Sequence, residues 1–148
     1  MGRVAQARTV RRAATALAAR ARAERGGELS LNQVAVLGRV VSEGPITPGE
    51  VADQLGMLPQ SLTRTFAALE RAGYLHRMPD PGDGRQSLLA TTTAGRSALR
   101  AEMAPRDRWV ARAMDAVLTP DEQRTLVAAA DLMLRLVDFG GGVAMVER

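Results

Sequence analysis

Residues 47–73 read TPGEVADQLGMLPQSLTRTFAALERAG, and this stretch decides the fold. Thr47, Pro48 and Glu50 supply an N-cap, a proline at the first helical position and an acid at the third, the grammar of a helix start. Ile46 and Val51 stand where a hydrophobic staple belongs, and Gly56 is the expected stop. Pro59 opens a second helix that runs to Gly73, itself read as a left-handed helix stop. The faces of this helix divide. Leu62, Phe66 and Leu69 turn inward at i, i+4 and i+7, while Gln60, Arg64, Ala67 and Arg71 make the opposite stripe, flanked by Ser61 and Thr63. A polar outer face is most often a solvated face. Its neighbourhood raises this one: helices 47–55 and 59–72 are separated by one tight turn, the helix-turn-helix spacing.

Two short apolar stretches follow, 74–78 and 87–92. Between them lies Pro79-Asp-Pro-Gly-Asp-Gly-Arg-Gln86, a turn by its Pro, Gly and Asp content. Helix, turn, helix and hairpin make a winged helix, so the expected class is mainly α with a small β-hairpin wing. Upstream, Ser30 with Gln33 forms a capping box, followed by Val34, Leu37 and Val41 on one face and closed by Gly44-Pro45. Residues 3–25 read as an Ala- and Arg-rich helix with a narrow stripe at Val10, Ala14, Leu17 and Ala21, ended by Gly26 and Gly27. An Arg-rich, acid-poor segment is also the composition of an organellar transit peptide, although the usual serines are missing. Downstream, 93–118 is helical with a break or kink at Pro105, carrying Leu99, Met103, Val110, Met114 and Val117 and the lone tryptophan, Trp109. Thr119, Pro120 and Glu122 then repeat the start signal ahead of Leu126, Ala130, Met133 and Val137. Phe139 and the glycines after it stop that helix, and 139–148 reads as a flexible tail.

Composition narrows the chemistry. The chain has 148 residues, room for a single domain, and is 46% hydrophobic but only 3% aromatic, so its core is Ala, Leu, Val and Met packed helix on helix. There is no Cys, which excludes a disulfide frame, a thiol nucleophile, peroxide sensing at cysteine and a thiolate metal site. One histidine, His76, cannot build a polyhistidine centre. Asp80 with Asp83 sits in a turn and Glu50 with Asp53 within a cap, so neither pair reads as a catalytic dyad. The expectation is no catalytic set, no metal and no cofactor. No apolar run reaches the roughly 20 residues of a membrane span, so no membrane partner is expected and the reading is a soluble, cytoplasmic protein. All 20 cationic residues are Arg, against 16 acids, for a net charge of +4. A GC-rich genome accounts for the number of arginines; only their positions carry function.

With these residues in hand, the sequence resembles the MarR family of winged-helix transcriptional regulators. The resemblance runs without a gap from Val51-Ala-Asp-Gln-Leu-Gly-Met-Leu-Pro-Gln-Ser-Leu-Thr-Arg64 through Leu69-Glu-Arg-Ala-Gly73 to Arg77. It continues in the wing, where Asp83-Gly-Arg85 matches the family's Asp-x-Arg signature, and in Thr93-Ala-Gly-Arg96 beyond it. Three positions depart. Leu58 stands where the family caps its recognition helix with Ser or Thr, Thr91-Thr92 replaces Leu-Thr, and Arg85 is alone where relatives carry adjacent arginines.

The resemblance implies a single MarR-like domain over 1–148. Its winged helix-turn-helix spans 30–98, and dimerisation helices lie in 1–28 and 100–140. It implies that Pro59, Gln60, Ser61, Thr63, Arg64 and Arg71 form the DNA-facing side of the recognition helix. Arg there pairs with guanine and Gln with adenine, each good pair discriminating by about 1–3 kcal/mol. In the wing, Arg85 would reach a minor groove and Asp83 would brace Arg85 or Arg77. The bland readings are surface hydroxyls at Ser61 and Thr63 and a simple turn former at Asp83. The implied partners are double-stranded DNA carrying a pseudo-palindromic operator, a second copy of the chain, and a small anionic or aromatic effector. Arg11, Arg12 and Trp109 lie in segments that could line an effector pocket, although Trp109 as interface filler and the Arg pair as solvated surface are the more ordinary alternatives. The expected function is a DNA-binding regulator, read as a repressor. The competing class is a winged-helix dimerisation or protein-interaction module that does not bind DNA.

Overall fold

Each helix start predicted from its capping residues is present in the computed structural model, which describes residues 2–137 and 139. Helix α1 spans Arg3–Arg22, α2 Leu31–Glu43, α3 Pro48–Gln54 and α4 Pro59–Arg71. Strands β1 (Leu75–Pro79) and β2 (Ser87–Thr91) precede α5 (Thr93–Val117) and α6 (Pro120–Val137). The expected tail falls, apart from Phe139, outside the described residues. By internal contacts the chain divides into two units, 1–107 and 108–148, with the boundary inside α5.

In the first unit, Ser30 and Thr47 each close a reciprocal box. The Gln33 N–H donates to Ser30 Oγ (3.2 Å) and the Ser30 N–H to Gln33 Oε1 (2.8 Å). Likewise the Glu50 N–H donates to Thr47 Oγ1 (3.2 Å) and the Thr47 N–H to Glu50 Oε2 (2.9 Å). These bonds satisfy donors that every helix leaves orphaned at its start. The two helices, with α4 and the hairpin, enclose one core: Val36, Leu37, Val40, Ile46, Val51, Ala52, Leu62, Phe66, Leu69, Leu75 and Leu89 are all buried. Ile46 and Val51, the predicted staple pair, both lie in it. The inner face of α2 differs from the sequence reading. Val36, Leu37 and Val40 face the core, Val34 is half-buried and Val41 is exposed. Both stripes contain Leu37 at helical spacing, so periodicity alone could not choose between them; α3 and α4 pack on one side only.

Two further expectations are corrected. Helix α1 ends at Arg22, before Gly26 and Gly27, and those glycines serve a close approach instead. A Cβ on Gly26 would lie 2.6 Å from the Glu102 carbonyl oxygen and 2.8 Å from that of Ala101, and one on Gly27 would strike the Glu102 carboxylate. Of the break or kink expected at Pro105, the break is absent, because α5 continues through it. Proline removes the N–H that the Ala101 carbonyl would otherwise accept. That same carbonyl is where the Gly26 backbone packs.

Burial in α5 is unusual. Glu102 is 2% exposed and Arg106 8%, paired at 3.7 Å, while Glu102 Oε2 and Arg106 Nε find no hydrogen-bond partner among the described residues. In the second unit, the Gln123 Nε2–H donates to the carbonyls of Met114 (3.3 Å) and Leu118 (3.4 Å), closing the turn from α5 into α6. Thr119 and Glu122 form the predicted box at the start of α6. Neither α1 nor α6 contains a buried residue.

Candidate nucleic-acid interface

Helices α3 and α4 are joined by a turn in which Gly56 adopts φ +64°, a left-handed conformation that glycine takes without a Cβ penalty. The Met57 N–H donates back to the Ala52 carbonyl (2.9 Å), holding the two helices in their tight relation. Pro59 opens α4, and Leu58 before it supplies no side-chain cap, as its apolar side chain requires. Leu62, Phe66 and Leu69 are spent on the core. Pro59, Gln60, Ser61, Thr63, Arg64 and Arg71 are all exposed, outside the face that α4 gives to the core. The Thr63 hydroxyl donates to the Pro59 carbonyl (3.4 Å), while Gln60 and Ser61 keep their side chains free among the described residues.

Gly73, at φ +73°, turns the chain out of α4, and the Tyr74 N–H returns to the Leu69 carbonyl (2.9 Å). The antiparallel hairpin that follows pairs Leu75 with Thr91 and Arg77 with Leu89. The middle of β2 is pinned by reciprocal bonds between Ile46 and Leu89 at 3.1 and 2.8 Å, which tie the wing to the loop before α3. Thr92 finishes the junction. Its hydroxyl donates to the Gly73 carbonyl (2.6 Å) and accepts the Gly95 N–H (2.9 Å), so one side chain caps α5 and holds it to the end of α4.

At the wing tip the structure corrects the role expected of Asp83. Its Oδ1 accepts the backbone N–H of Arg85 (3.1 Å) and its Oδ2 the Gln86 amide (3.2 Å). Asp83 thus shapes the turn and braces neither the Arg85 nor the Arg77 guanidinium, because a short side chain in an Asx-type turn is used up by its own backbone. Arg77 is held elsewhere. Its Nε–H donates to Glu70 Oε1 of α4 (2.6 Å) and its Nη1 to Ser87 Oγ of β2 (3.1 Å). A pairing of Glu70 with a nearby arginine is expected from the sequence, and the structure identifies that arginine as Arg77, seven residues on and in another element. The signal for this partner lies in the strand's period of two, which puts Arg77 on the same side as buried Leu75.

The guanidinium groups of Arg64, Arg71 and Arg85 make no hydrogen bond or ion pair among the described residues. Arg11 and Arg12 are exposed on α1, whereas Trp109 is half-buried in the second unit. A cavity of about 350 Å³ beside α2 is lined by Val34, Gly38, Leu55, Leu99 and Met103. A second, of about 250 Å³, includes Arg22, Arg25, Glu102 and Arg106. Neither is lined by Arg11, Arg12 or Trp109. Among the described residues no group of three His, Cys, Asp or Glu side chains could hold a metal ion, and no helix is long and apolar enough to cross a membrane.

Comparison with known proteins agrees with this geometry. The MarR family profile matches residues 28–86, from the loop before α2 to the wing tip. A helix-turn-helix transcriptional regulator of Mycobacterium bovis is 39% identical over 110 residues, covering 74% of this chain and 76% of its own length. The crystal structure of a transcriptional regulator from Pseudomonas aeruginosa superposes with a TM-score of 0.76 at 29% identity, covering 91% of this chain and 94% of that one. A variant of MarR from E. coli, solved in complex with operator DNA, is similar with a TM-score of 0.53 at 27% identity, over 72% and 76% of the two chains. Capped helices, helix-turn-helix, wing and relatives converge, and the chain belongs to the MarR family of winged helix-turn-helix transcriptional regulators.

Proposed function

We propose that this chain binds a pseudo-palindromic operator as a homodimer and represses the gene behind it, with α4 in the major groove and the wing in an adjacent minor groove. The observation that carries the reading is the division of α4. Its apolar face is consumed by the core, while Gln60, Ser61, Arg64 and Arg71 stay exposed and Arg64 and Arg71 are unpaired among the described residues. An arginine left without a carboxylate partner on a helix of this setting is matched to guanine and phosphate acceptors. The similar E. coli protein was solved on operator DNA, which supports the same partner here.

A second copy is supported by apolar surface that the chain itself leaves uncovered. Val10 and Leu17 of α1 are 42% and 45% exposed, and Leu126, Val127, Leu134 and Val137 of α6 are exposed as well. Surfaces of this kind mark association sites. A two-fold dimer presents two copies of α4 to two half-sites. Release from DNA is assigned to a reversible small-molecule ligand, since a chain without Cys and with one His has no thiol to oxidise and no polyhistidine cage to fill, and the arginine-only cations, Arg11 and Arg12 among them, favour an anionic, partly aromatic one.

The test is selection of genomic fragments by the purified protein, followed by titration of a recovered fragment and of random duplex with Arg64→Ala. The expected result is a loss of about 1–3 kcal/mol on the selected fragment, with relaxed preference at one position per half-site. Equal losses on selected and random DNA would remove base reading from Arg64.

A further inference from the structure

We infer that Arg77 is a positioning residue that sets the wing against the recognition helix, through Glu70 and Ser87, and that it does so without contacting DNA itself. The inference rests on the DNA-interface reading above. Arg77 joins three elements with two hydrogen bonds: Nε–H to Glu70 Oε1 of α4 at 2.6 Å, and Nη1 to Ser87 Oγ of β2 at 3.1 Å. The register explains why it can. Arg77 lies opposite Leu89, whose side chain is fully buried, and alternates in phase with buried Leu75. The guanidinium therefore leaves the hairpin on the side of α4 and not on the outer side shared by His76 and Met78.

The chemistry separates Arg77 from the other interface arginines. The guanidinium groups of Arg64, Arg71 and Arg85 have no protein partner among the described residues, so their donors remain for phosphate and bases. Arg77 already spends its Nε on a carboxylate, at a distance typical of charge-assisted bonds. Two reading elements whose separation is fixed lose less freedom on docking into two grooves than two that move independently. The pair is partly exposed, 44% at Arg77 and 27% at Glu70, so its contribution to folding is small and its effect falls on geometry.

The sign of one substitution distinguishes this role from a phosphate contact. If Arg77 gripped phosphate, Glu70 would be a competing anion near the backbone, and Glu70→Ala would strengthen binding. As a brace, the carboxylate is required, and Glu70→Ala weakens it. The experiment titrates a selected genomic fragment with wild type, Glu70→Ala, Glu70→Gln, Arg77→Ala and the charge-swapped Glu70→Arg/Arg77→Glu protein, over a series of salt concentrations. Matched unfolding curves provide the folding control.

Glu70→Ala, Glu70→Gln and Arg77→Ala are each expected to lower affinity by about two- to fivefold. The swapped pair is expected to regain affinity over either single change. A lost phosphate contact would flatten the slope of log affinity against log salt by about 0.9, whereas the brace leaves it unchanged. Tighter or unchanged binding by Glu70→Ala, a flattened slope for Arg77→Ala, or no recovery by the swapped pair overturns the inference. Arg64→Ala is run alongside. If it too binds like wild type, the interface reading falls, and if it alone is weak, only the brace falls.

Discussion

Gly95 and Gly38 both sit inside helices, and the same substitution is expected to move stability in opposite directions. Gly95 lies in the first turn of α5 and is buried. A Cβ built there overlaps the Tyr74 carbonyl oxygen and sits 3.0 and 3.1 Å from its carbonyl carbon and Cα. All three are backbone atoms at the exit from α4, held by the Thr92 N–H bond to Tyr74 O at 3.1 Å, so no side chain can rotate away. Gly38 lies mid-way along α2 with nothing within 4 Å of an added Cβ, and it lines the cavity of about 350 Å³. Alanine in a helix interior is favoured over glycine by about 0.5–1 kcal/mol, so Gly38→Ala is expected to stabilise by that amount. At Gly95 that gain is outweighed by overpacking, for a net loss of about 1–3 kcal/mol. Each kcal/mol corresponds to roughly 2–4 °C in melting temperature for a chain of this size. Urea unfolding at one fixed protein concentration measures both, since association would otherwise shift the midpoint. Shifts of the same sign for the two variants, or a stabilised Gly95→Ala, would refute the close-approach argument.

Three further outcomes follow from the geometry. Glu102→Ala strands the buried Arg106 guanidinium and is expected to cost about 3–5 kcal/mol, whereas Glu102→Leu with Arg106→Met is expected to be neutral or stabilising; a single variant as stable as wild type in urea refutes the burial argument. The Thr119 backbone N–H, and then its hydroxyl, hold the Glu122 carboxyl below its ordinary range. A depressed value means the cap's contribution is complete above the ordinary carboxylate range and fades as pH falls through the lowered one. Hydrogen exchange in the first turn of α6 is expected to quicken over that window, and Glu122→Gln to abolish the dependence; a wild-type profile flat across the window contradicts this. Finally, removal of residues 1–25 is expected to yield a monomeric or insoluble protein, and a soluble dimer in sedimentation refutes α1 as part of the dimer surface.

The part of the fold built from local grammar is legible in the amino-acid sequence alone. Ser30 with Gln33, Thr47 with Glu50 and Thr119 with Glu122 each predict a helix start, and all three boxes are formed. Gly56 and Gly73 read as stops, and both adopt positive φ. The polar stripe of α4 is equally legible, because Leu62, Phe66 and Leu69 define its opposite face by period alone. These features share a physical cause. A cap, a turn or an amphipathic face is satisfied by residues within a few positions of one another, so the chain states it in one dimension.

The misreadings share the opposite cause. Val40 and Val41 stand three and four positions beyond Leu37 and are both its neighbours on a helical wheel, and only the packing of α3 and α4 buries the one and exposes the other. Gly26 looks like a helix stop until α5 lies against its backbone. Asp83 is near Arg85 in sequence, yet its oxygens are taken by backbone and by Gln86. Sequence by itself determined the family, the order of helices and hairpin, and the polar outer face of α4, because these depend on local hydrogen bonds and on hydrophobic period. Tertiary structure alone decided that Glu102 and Arg106 are buried together and that Arg77 answers to Glu70, because each is an encounter between elements whose distance in space the linear order does not specify.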